Sequence, residues 1–158
     1  MLLHKKLDLR PTARTILLAE IDEAEQARLA DMPTLIYRFA TNASLPLESI
    51  YLLPPIRYPN GKTYLKIGGY PKNPAQFGTD TAAIRPWFHG SGSDEEIEGL
   101  KQCLHHIMPN LQVIAYDRKP CVLTYTAHEH PYIDKLSDGL FVAAGGSGAA
   151  AKSSNEIG

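Results

Sequence analysis

Residues 50–70 read IYLLPPIRYPNGKTYLKIGGY, and this stretch decides the fold. Two β-prone runs, 50–58 and 63–70, flank the turn cluster PNGK at 59–62. Asn-Gly between such runs is the strongest short-range signal for a β-hairpin. The stretch therefore predicts an antiparallel hairpin that turns at Asn60-Gly61. Along the second arm, alternation places Lys66 on the face opposite Leu65 and Ile67.

Outside the hairpin, the sequence predicts further strands and two helices. Strands are predicted at 14–20, 35–40, 112–116, 122–126 and 140–144, and a helix is predicted at 22–31, where Pro33 closes it. After a Gly/Pro-rich loop at 71–92, Ser93 opens a second helix, with Glu96 completing a capping box. The apolar stripe of this helix has helical spacing and consists of Ile97, Leu100, Leu104, Ile107 and Met108. The pattern predicts an α+β fold with a mixed, largely antiparallel sheet and flanking helices.

The size and charge of the chain limit the classes of function that can be expected of it. The chain has 158 residues, 44% of them hydrophobic, which is ordinary for one globular domain. Its net charge of −1 gives no electrostatic reason to expect nucleic acid or an anionic membrane as a partner. No apolar run has the length of a signal peptide or a membrane span. With only two cysteines, the sequence predicts reduced thiols in a cytoplasmic protein.

Two polar segments on predicted strands suggest chemistry. A lysine between apolar strand neighbours, as at Lys66, either extends to water or lies in a site that needs its charge. Cys121, in the segment KPCVLTYT, has the ordinary interpretation of a small buried hydrophobe. The triplet His128-Glu129-His130 suggests zinc, together with His105 and His106. However, the third ligand and outer shell of a closed site are missing, so no metal site is predicted.

A glycine-rich segment follows the strand predicted at 140–144, whose lack of polar alternation predicts burial on both faces. Such a strand, entering Gly145-Gly146-Ser147-Gly148 and then a helix, can bring backbone N–H groups up to a cofactor or phosphate. A tight strand-to-helix turn is the structural alternative. From Gly146 onward, the segment differs from the phosphate-loop pattern at one position, because Ala151 stands where a glycine should precede Lys152.

In this order and spacing, the segments resemble the D-amino-acid-oxidase-like superfamily of FAD enzymes. The likeness is strongest to the branch of monomeric sarcosine oxidase and related amine oxidases. It rests on the pattern Cys-x-x-Thr-x-Thr-x-x-x-His-x-x-Ile-Asp from Cys121, on Gly-x-Ser-Gly-x-x-x-Lys ending at Lys152, and on the upstream Leu-Lys-Ile-Gly strand. It is strong over residues 50–70 and 119–158 and weak over residues 1–50.

The resemblance implies roles for individual residues. Lys66 matches the lysine that lies over the flavin and promotes its reaction with oxygen, because a fixed cation stabilises developing negative charge. Cys121 matches the cysteine that holds the flavin covalently in some members, and Lys152 matches the lysine that pairs with the substrate carboxylate. The loop that approaches the isoalloxazine ring is matched by Gly145, Gly146, Ser147 and Gly148.

The sequence departs from the family in two places. The family continues Ser-Gly with His-Gly-Phe-Lys, whereas Ala149-Ala150-Ala151-Lys152 stands here. The Gly-x-Gly-x-x-Gly turn that binds the FAD pyrophosphate is absent from the 158 residues. The resemblance therefore implies an incomplete substrate-binding domain at 1–138. Residues 139–158 would form a strand and glycine loop that return to an FAD-binding domain outside the sequence.

The expected function is that of a substrate-binding fragment of an FAD-dependent amine or amino-acid oxidoreductase. In the intact enzyme, hydride would pass from a C–H next to the amine nitrogen to the flavin. Without the nucleotide-binding domain, the fragment should be inactive and should bind free FAD poorly. The expected partners are a small amine or amino acid, and either a separate FAD-binding subunit or a second copy of the chain. The alternative is a degenerate, non-catalytic binding module with the same fold.

Overall fold

The structure, a computed structural model, describes residues 7–41, 44–72, 74–77 and 81–157. The described strands are β1 (Leu9–Ile21), β2 (Leu35–Arg38), β3 (Leu47–Leu52), β4 (Ile56–Arg57), β5 (Thr63–Pro71), β6 (Ala115–Thr126), β7 (Tyr132–Ser137) and β8 (Leu140–Ala144). The described helices are α1 (Glu23–Arg28), α2 (Ile84–His89), α3 (Asp94–Ile107) and α4 (Ser154–Ile157), with short 3-10 turns at Thr81–Ala83 and Ala150–Lys152.

Six strands form one antiparallel sheet. The order is β2-β3-β5-β1-β6, and β4 pairs with β5 beyond the end of β3. Strands β7 and β8 form a separate two-stranded antiparallel sheet. With its helices, the chain is a mixed α+β structure with a largely antiparallel sheet, as the sequence predicts.

The hairpin predicted at residues 50–70 is confirmed, but its first arm is interrupted. Gly61 has φ 81°, and the turn is closed by the N–H groups of Gly61 and Tyr58, which donate to Tyr58 O and Lys62 O at 2.9 Å each. Its first arm is split into β3 and β4 by Pro54 and Pro55. Since proline has no N–H, it cannot donate to a ladder.

One face of the sheet carries the hydrophobic core. Helix α3 begins after Ser93 as predicted, because Ser93 Oγ accepts the N–H of Glu96 at 3.2 Å, but the capping box is not completed, since the N–H of Ser93 donates to Thr15 Oγ1 at 2.9 Å. Its apolar stripe packs on alternate residues of the strands, each of which contributes roughly 1.5–3 kcal/mol when fully buried. The core residues on these elements are Leu17, Ala19, Ile21, Leu47, Ile50, Leu52, Leu65, Ile67, Ile97, Leu100, Cys103 and Leu104.

The prediction of separate strands at 112–116 and 122–126 is wrong. A single strand, β6, runs from Ala115 through Pro120 to Thr126. Proline is tolerated there because β6 is the last strand of the described sheet, so its outer edge has no strand partner. Instead, Trp87 on α2, a helix within the predicted loop 71–92, donates its Nε1–H to Cys121 O at 2.9 Å.

The strand at 140–144 is confirmed, but its interpretation as a buried strand is wrong. It pairs with β7, which the sequence analysis did not predict, and Phe141 is 72% exposed. The turn between them is Asp138-Gly139, with Gly139 at φ 74°. Since a phosphate loop follows a central parallel strand, this antiparallel pairing excludes the phosphate-loop interpretation.

Candidate functional site

The sheet face opposite α3 forms the floor of an open cleft of about 1160 Å³. Because side chains alternate along a strand, the residues that do not enter the core point to this face. Its lining includes the polar and small residues Arg14, Tyr51, Lys66, Gly68, Tyr70 and Cys121, with Gly148 and Lys152 from the C-terminal segment.

Lys66 lies in the middle of the cleft floor. It is half-buried, and its register partner on β1 is Leu18. Its neighbours Leu65 and Ile67 are fully buried in the core on the other face, as the alternation predicts. The ammonium group is therefore carried by a central strand that is fixed on both sides.

Cys121 lies in β6, opposite Arg14 of β1, and lines the same cleft. Its thiol is free and half-buried. The contact between its carbonyl and Trp87 covers the outer edge of the strand and fixes the backbone here.

The C-terminal loop reaches the cleft only in part. Gly148 and Lys152 line the cleft, whereas Gly145, Gly146 and Ser147 do not contribute to its wall. Lys152 is exposed. Of the four loop residues matched to the flavin contact, therefore, one borders the cleft.

The loop also packs on the chain's own sheet. Ser147 donates its N–H to Thr124 O at 3.0 Å, and a Cβ added to Gly145 would meet Thr126. Both Gly145 and Gly148 have positive φ, 76° and 75°. The tight turn that packs against β6 therefore explains why glycine occupies these positions, without a cofactor.

Tyr51 is a cleft residue that the sequence analysis did not identify. It is the register partner of Gly68, and a Cβ added to Gly68 would run into its ring. Burial raises the pKa of Tyr51 to about 12. The absence of a side chain at Gly68 thus lets a neutral phenol lie over β5. The signal in the sequence was a glycine inside a strand.

Arg14 is the second residue that was missed. It is only 7% exposed, and its guanidinium donates to Ala13 O at 2.8 Å and to the Tyr125 hydroxyl at 3.5 Å. It also lies over the ring of Tyr70, 5.7 Å from the centroid. Burial is the main cause that raises the pKa of Tyr125. No sequence pattern distinguished Arg14 from a surface arginine.

Basic residues outnumber acidic ones in the lining of the cleft. Its lining includes the basic residues Arg14, Arg38, Lys66, Lys72 and Lys152, whereas Glu48 is the one acid among the described lining residues. The whole chain has a net charge of −1, so this positive charge is local. Such a wall favours an anionic ligand.

The histidines do not assemble into a metal site within the described ranges. No group of three or more His, Cys, Asp or Glu side chains in that part of the chain could hold a metal ion. The rings of His128 and His130 stack at 6.2 Å, and His128 Nδ1 accepts the N–H of His130 at 3.2 Å. His105 instead shares a hydrogen bond with the Tyr116 hydroxyl.

No protein-family model matches the sequence, and no curated protein is significantly similar to it. Among the residues that the structure describes, no helix is both long and apolar enough to cross a membrane.

Proposed function

We propose that the chain forms the substrate-binding side of an FAD-dependent amine or amino-acid oxidoreductase. The observation that carries the proposal is that Lys66, Cys121 and Lys152, from three distant segments, line one cleft. The resemblance matched each of them to a flavin or substrate contact. In this proposal, the six-stranded sheet belongs to the substrate-binding domain of the D-amino-acid-oxidase-like fold, and residues 139–158 lead towards the nucleotide-binding domain.

The residues present fit a flavin ring. The volume of the cleft, about 1160 Å³, is slightly above the range of about 300–1,000 Å³ that is typical of small-molecule sites. The cleft is open on one side. Gly68 has no side chain, so the Tyr51 ring lies over β5 and gives the floor an aromatic surface at this point. An ammonium group and a free thiol border this surface at Lys66 and Cys121.

The chain's own residues would have distinct tasks. A bound flavin supplies the acceptor for the hydride that leaves the carbon next to an amine nitrogen. Lys66, on its central strand, holds a positive charge where negative charge develops, and it costs no reorganisation. Lys152, at the exposed rim, binds and orients the carboxylate of an amino-acid substrate. The core behind β5 excludes water from beneath Lys66.

The proposal requires a nucleotide-binding domain in addition to these 158 residues. They contain no Gly-x-Gly-x-x-Gly turn, so the adenosine and pyrophosphate of FAD must bind elsewhere. The domain would belong to another chain or to another part of the same protein.

A second candidate is a non-catalytic binding module of the same fold. Two observations favour it. Ala149, Ala150 and Ala151 replace the imidazole, glycine and aromatic ring of the family's loop. In addition, the hydrogen bond from Ser147 to Thr124 ties that loop to β6.

The test is a titration of the chain with riboflavin, which has the ring but not the adenosine, followed by amide NMR. We expect weak binding that shifts the amide signals of Lys66 and Cys121, because these residues border the proposed ring site. Lys66→Met should change the shifts and the affinity. Lys101→Met is the matched control, since Lys101 lies on α3 behind the sheet. Shifts confined to other surfaces, or no shifts up to the solubility limit of riboflavin, would contradict the proposal.

A further inference from the structure

The main sheet has a breach between β1 and β5, beside the cleft floor. The pairing of these strands ends at Leu17 and Ile67. On the same side of β1, the next backbone contact in the described structure is at Ala13, whose N–H donates to Ala75 O at 2.9 Å. Residues 14–16 of β1 lie between these two points and have no described strand partner on this side. We call this interval the breach.

Glu96, in the first turn of α3, reaches the breach from the core side of the sheet. Burial raises the pKa of Glu96, whereas the hydroxyl and the N–H of Thr15 lower it, so both groups of Thr15 lie beside its carboxyl group. Residues two apart on a strand direct their N–H groups to the same side, so that of Thr15 points to the β5 side, as that of Ala13 does. Thr15 also lines the cleft. The carboxyl group therefore lies at the base of the cleft.

The side chain of Arg14 enters the breach from the cleft side. Arg14 lines the cleft and is only 7% exposed. Its guanidinium donates to Ala13 O at 2.8 Å. Burial raises the pKa of Glu96, and the positive charge of Arg14 acts against this effect. The two side chains thus approach each other from opposite faces of the sheet.

Arg14 and Glu96 each have one buried atom without a hydrogen-bond partner. These atoms are the donor Nε of Arg14 and the acceptor Oε1 of Glu96, and no other buried side-chain nitrogen or oxygen of the described residues is in this state. The two side chains do not form a direct ion pair, because no nitrogen of Arg14 lies within 4.0 Å of a described carboxylate oxygen. Buried polar atoms are normally hydrogen-bonded to protein or to ordered water. A donor and an acceptor beyond direct reach are suitable partners for one water molecule.

We propose that a water molecule bound in the breach joins Arg14 Nε–H to Glu96 Oε1, and that Glu96 is the counter-charge of Arg14. The water accepts from the guanidinium and donates to the carboxylate, which places the two atoms about 5 Å apart. A buried charge is costly unless a counter-charge compensates it. Glu96 is thus a positioning residue that holds the guanidinium in the cleft floor. The arrangement does not depend on flavin.

The first experiment detects the water in the ¹⁵N-labelled 158-residue chain without ligand. Cross-relaxation between water and Arg14 Nε–H should have opposite signs in the laboratory and rotating frames, because a bound water is long-lived, whereas proton exchange gives equal signs. The Nε–H signal is identified by its loss in Arg14→Lys. Glu96→Leu should abolish the cross peak, because the water loses its acceptor. Glu95→Leu, at an exposed neighbour on α3, is the matched control and should keep it.

The second experiment tests the counter-charge by titrating the side-chain ¹³C carboxyl signal of Glu96 with pH. Arg14→Gln should shift the midpoint to higher pH, because it removes a positive charge that favours the carboxylate. Arg38→Gln, the same change at an exposed cleft residue, should leave the midpoint where it is.

Distinct outcomes overturn the two parts of the proposal. A wild-type Nε–H without a long-lived water cross peak, or a cross peak that persists in Glu96→Leu, overturns the water site. Equal Glu96 midpoints in the wild type and in Arg14→Gln overturn the counter-charge. If Arg14→Gln does not fold, the wild-type Nε–H shift decides instead. It should move with pH at the midpoint of Glu96 and stay fixed in Glu96→Gln, and a shift that does not follow Glu96 contradicts the pairing.

Discussion

Gly68 and Tyr51 show how one missing side chain shapes the cleft. The phenol ring occupies the space that a Cβ on Gly68 would need, and the two residues are register partners on β5 and β3. A ring held this way has few positions to move to, because the flanking residues of both strands are buried in the core. The glycine is therefore required for packing here and not for an unusual φ.

Gly68→Ala should destabilise the chain by about 1–3 kcal/mol, as overpacking of a tight site does. The cost should largely disappear in a Tyr51→Ala background, since that change removes the ring that the new methyl would meet. Urea unfolding of the two single variants and the double variant measures both effects. Equal costs of Gly68→Ala in the two backgrounds would show that the ring does not limit the space.

Tyr51 should also make stability depend on pH in the alkaline range. Its folded-state pKa of about 12 lies above the about 10 of an unfolded tyrosine. A group with a raised pKa contributes stability that is complete below the unfolded pKa and is lost as pH rises through the folded pKa. Stability should therefore fall between about pH 10 and pH 12, and less steeply in Tyr51→Phe. Chemical unfolding at several pH values measures the difference, and identical slopes for the two proteins would contradict it.

The sequence predicts some of these residues and not others for a physical reason. Lys66 could be assigned to its face because strand alternation has a period of two and its neighbours Leu65 and Ile67 are strongly apolar. Arg14 and Tyr51 could not, because their environment is made by partners from other strands. Whether a polar side chain on a strand is buried depends on those partners, which local pattern does not reveal.

The hairpin of β7 and β8 exposes both free strand edges and apolar side chains. Each of its two strands has one free edge in the described structure, and Phe141 and Ile133 are 72% and 52% exposed. Free edges with apolar side chains promote association. In the proposed function, this surface leads towards the nucleotide-binding domain.

We expect the isolated chain to self-associate through this hairpin. Phe141→Lys should shift the population towards monomer, because a charge on an edge strand opposes pairing. Ile36→Lys is the control, since Ile36 is 68% exposed on β2. Sedimentation velocity over a range of concentrations measures the effect. A wild-type chain that stays monomeric at all concentrations would refute this prediction.

Other elements show where local signals were sufficient. The start of helix α3 at Ser93 and its apolar stripe up to Ile107 follow from its own sequence, because both signals are local. The second half of the capping box does not form, because Thr15 of another element accepts the N–H of Ser93. The long strand β6 was divided at Pro120, since its position at the edge of the sheet is a tertiary fact. Asp138-Gly139 is also a local hairpin signal, and this dipeptide before the strand at 140–144 is sufficient to predict β7.

For the molecule as a whole, the α+β class follows from element types and from the hairpin. The gathering of Lys66, Cys121 and Lys152 on one cleft could not be deduced from pattern. It depends on the strand order β5-β1-β6, which brings residues far apart in sequence onto one face. The resemblance suggested this gathering, and the geometry of the cleft supports the proposal drawn from it.

The purified chain should be colourless and should bind FAD weakly. The part of FAD that gives most dinucleotide sites their affinity contacts a Gly-x-Gly-x-x-Gly turn, which these residues lack. Gel filtration with absorbance at visible wavelengths checks this after incubation with excess FAD. A yellow protein peak would show that the cofactor is held within this chain.

The central claim is that this cleft presents an amine substrate to a flavin. It is tested most directly by co-expressing the chain with a nucleotide-binding domain that carries the Gly-x-Gly-x-x-Gly turn, and by recording the flavin absorbance of the complex under anaerobic conditions. The account predicts that the complex retains flavin and that a substrate amine or amino acid bleaches its absorbance. Lys66→Met should keep this bleaching but slow the return of colour in air. A complex that retains flavin, yet is bleached by no amine or amino acid, would contradict the account and leave the non-catalytic module.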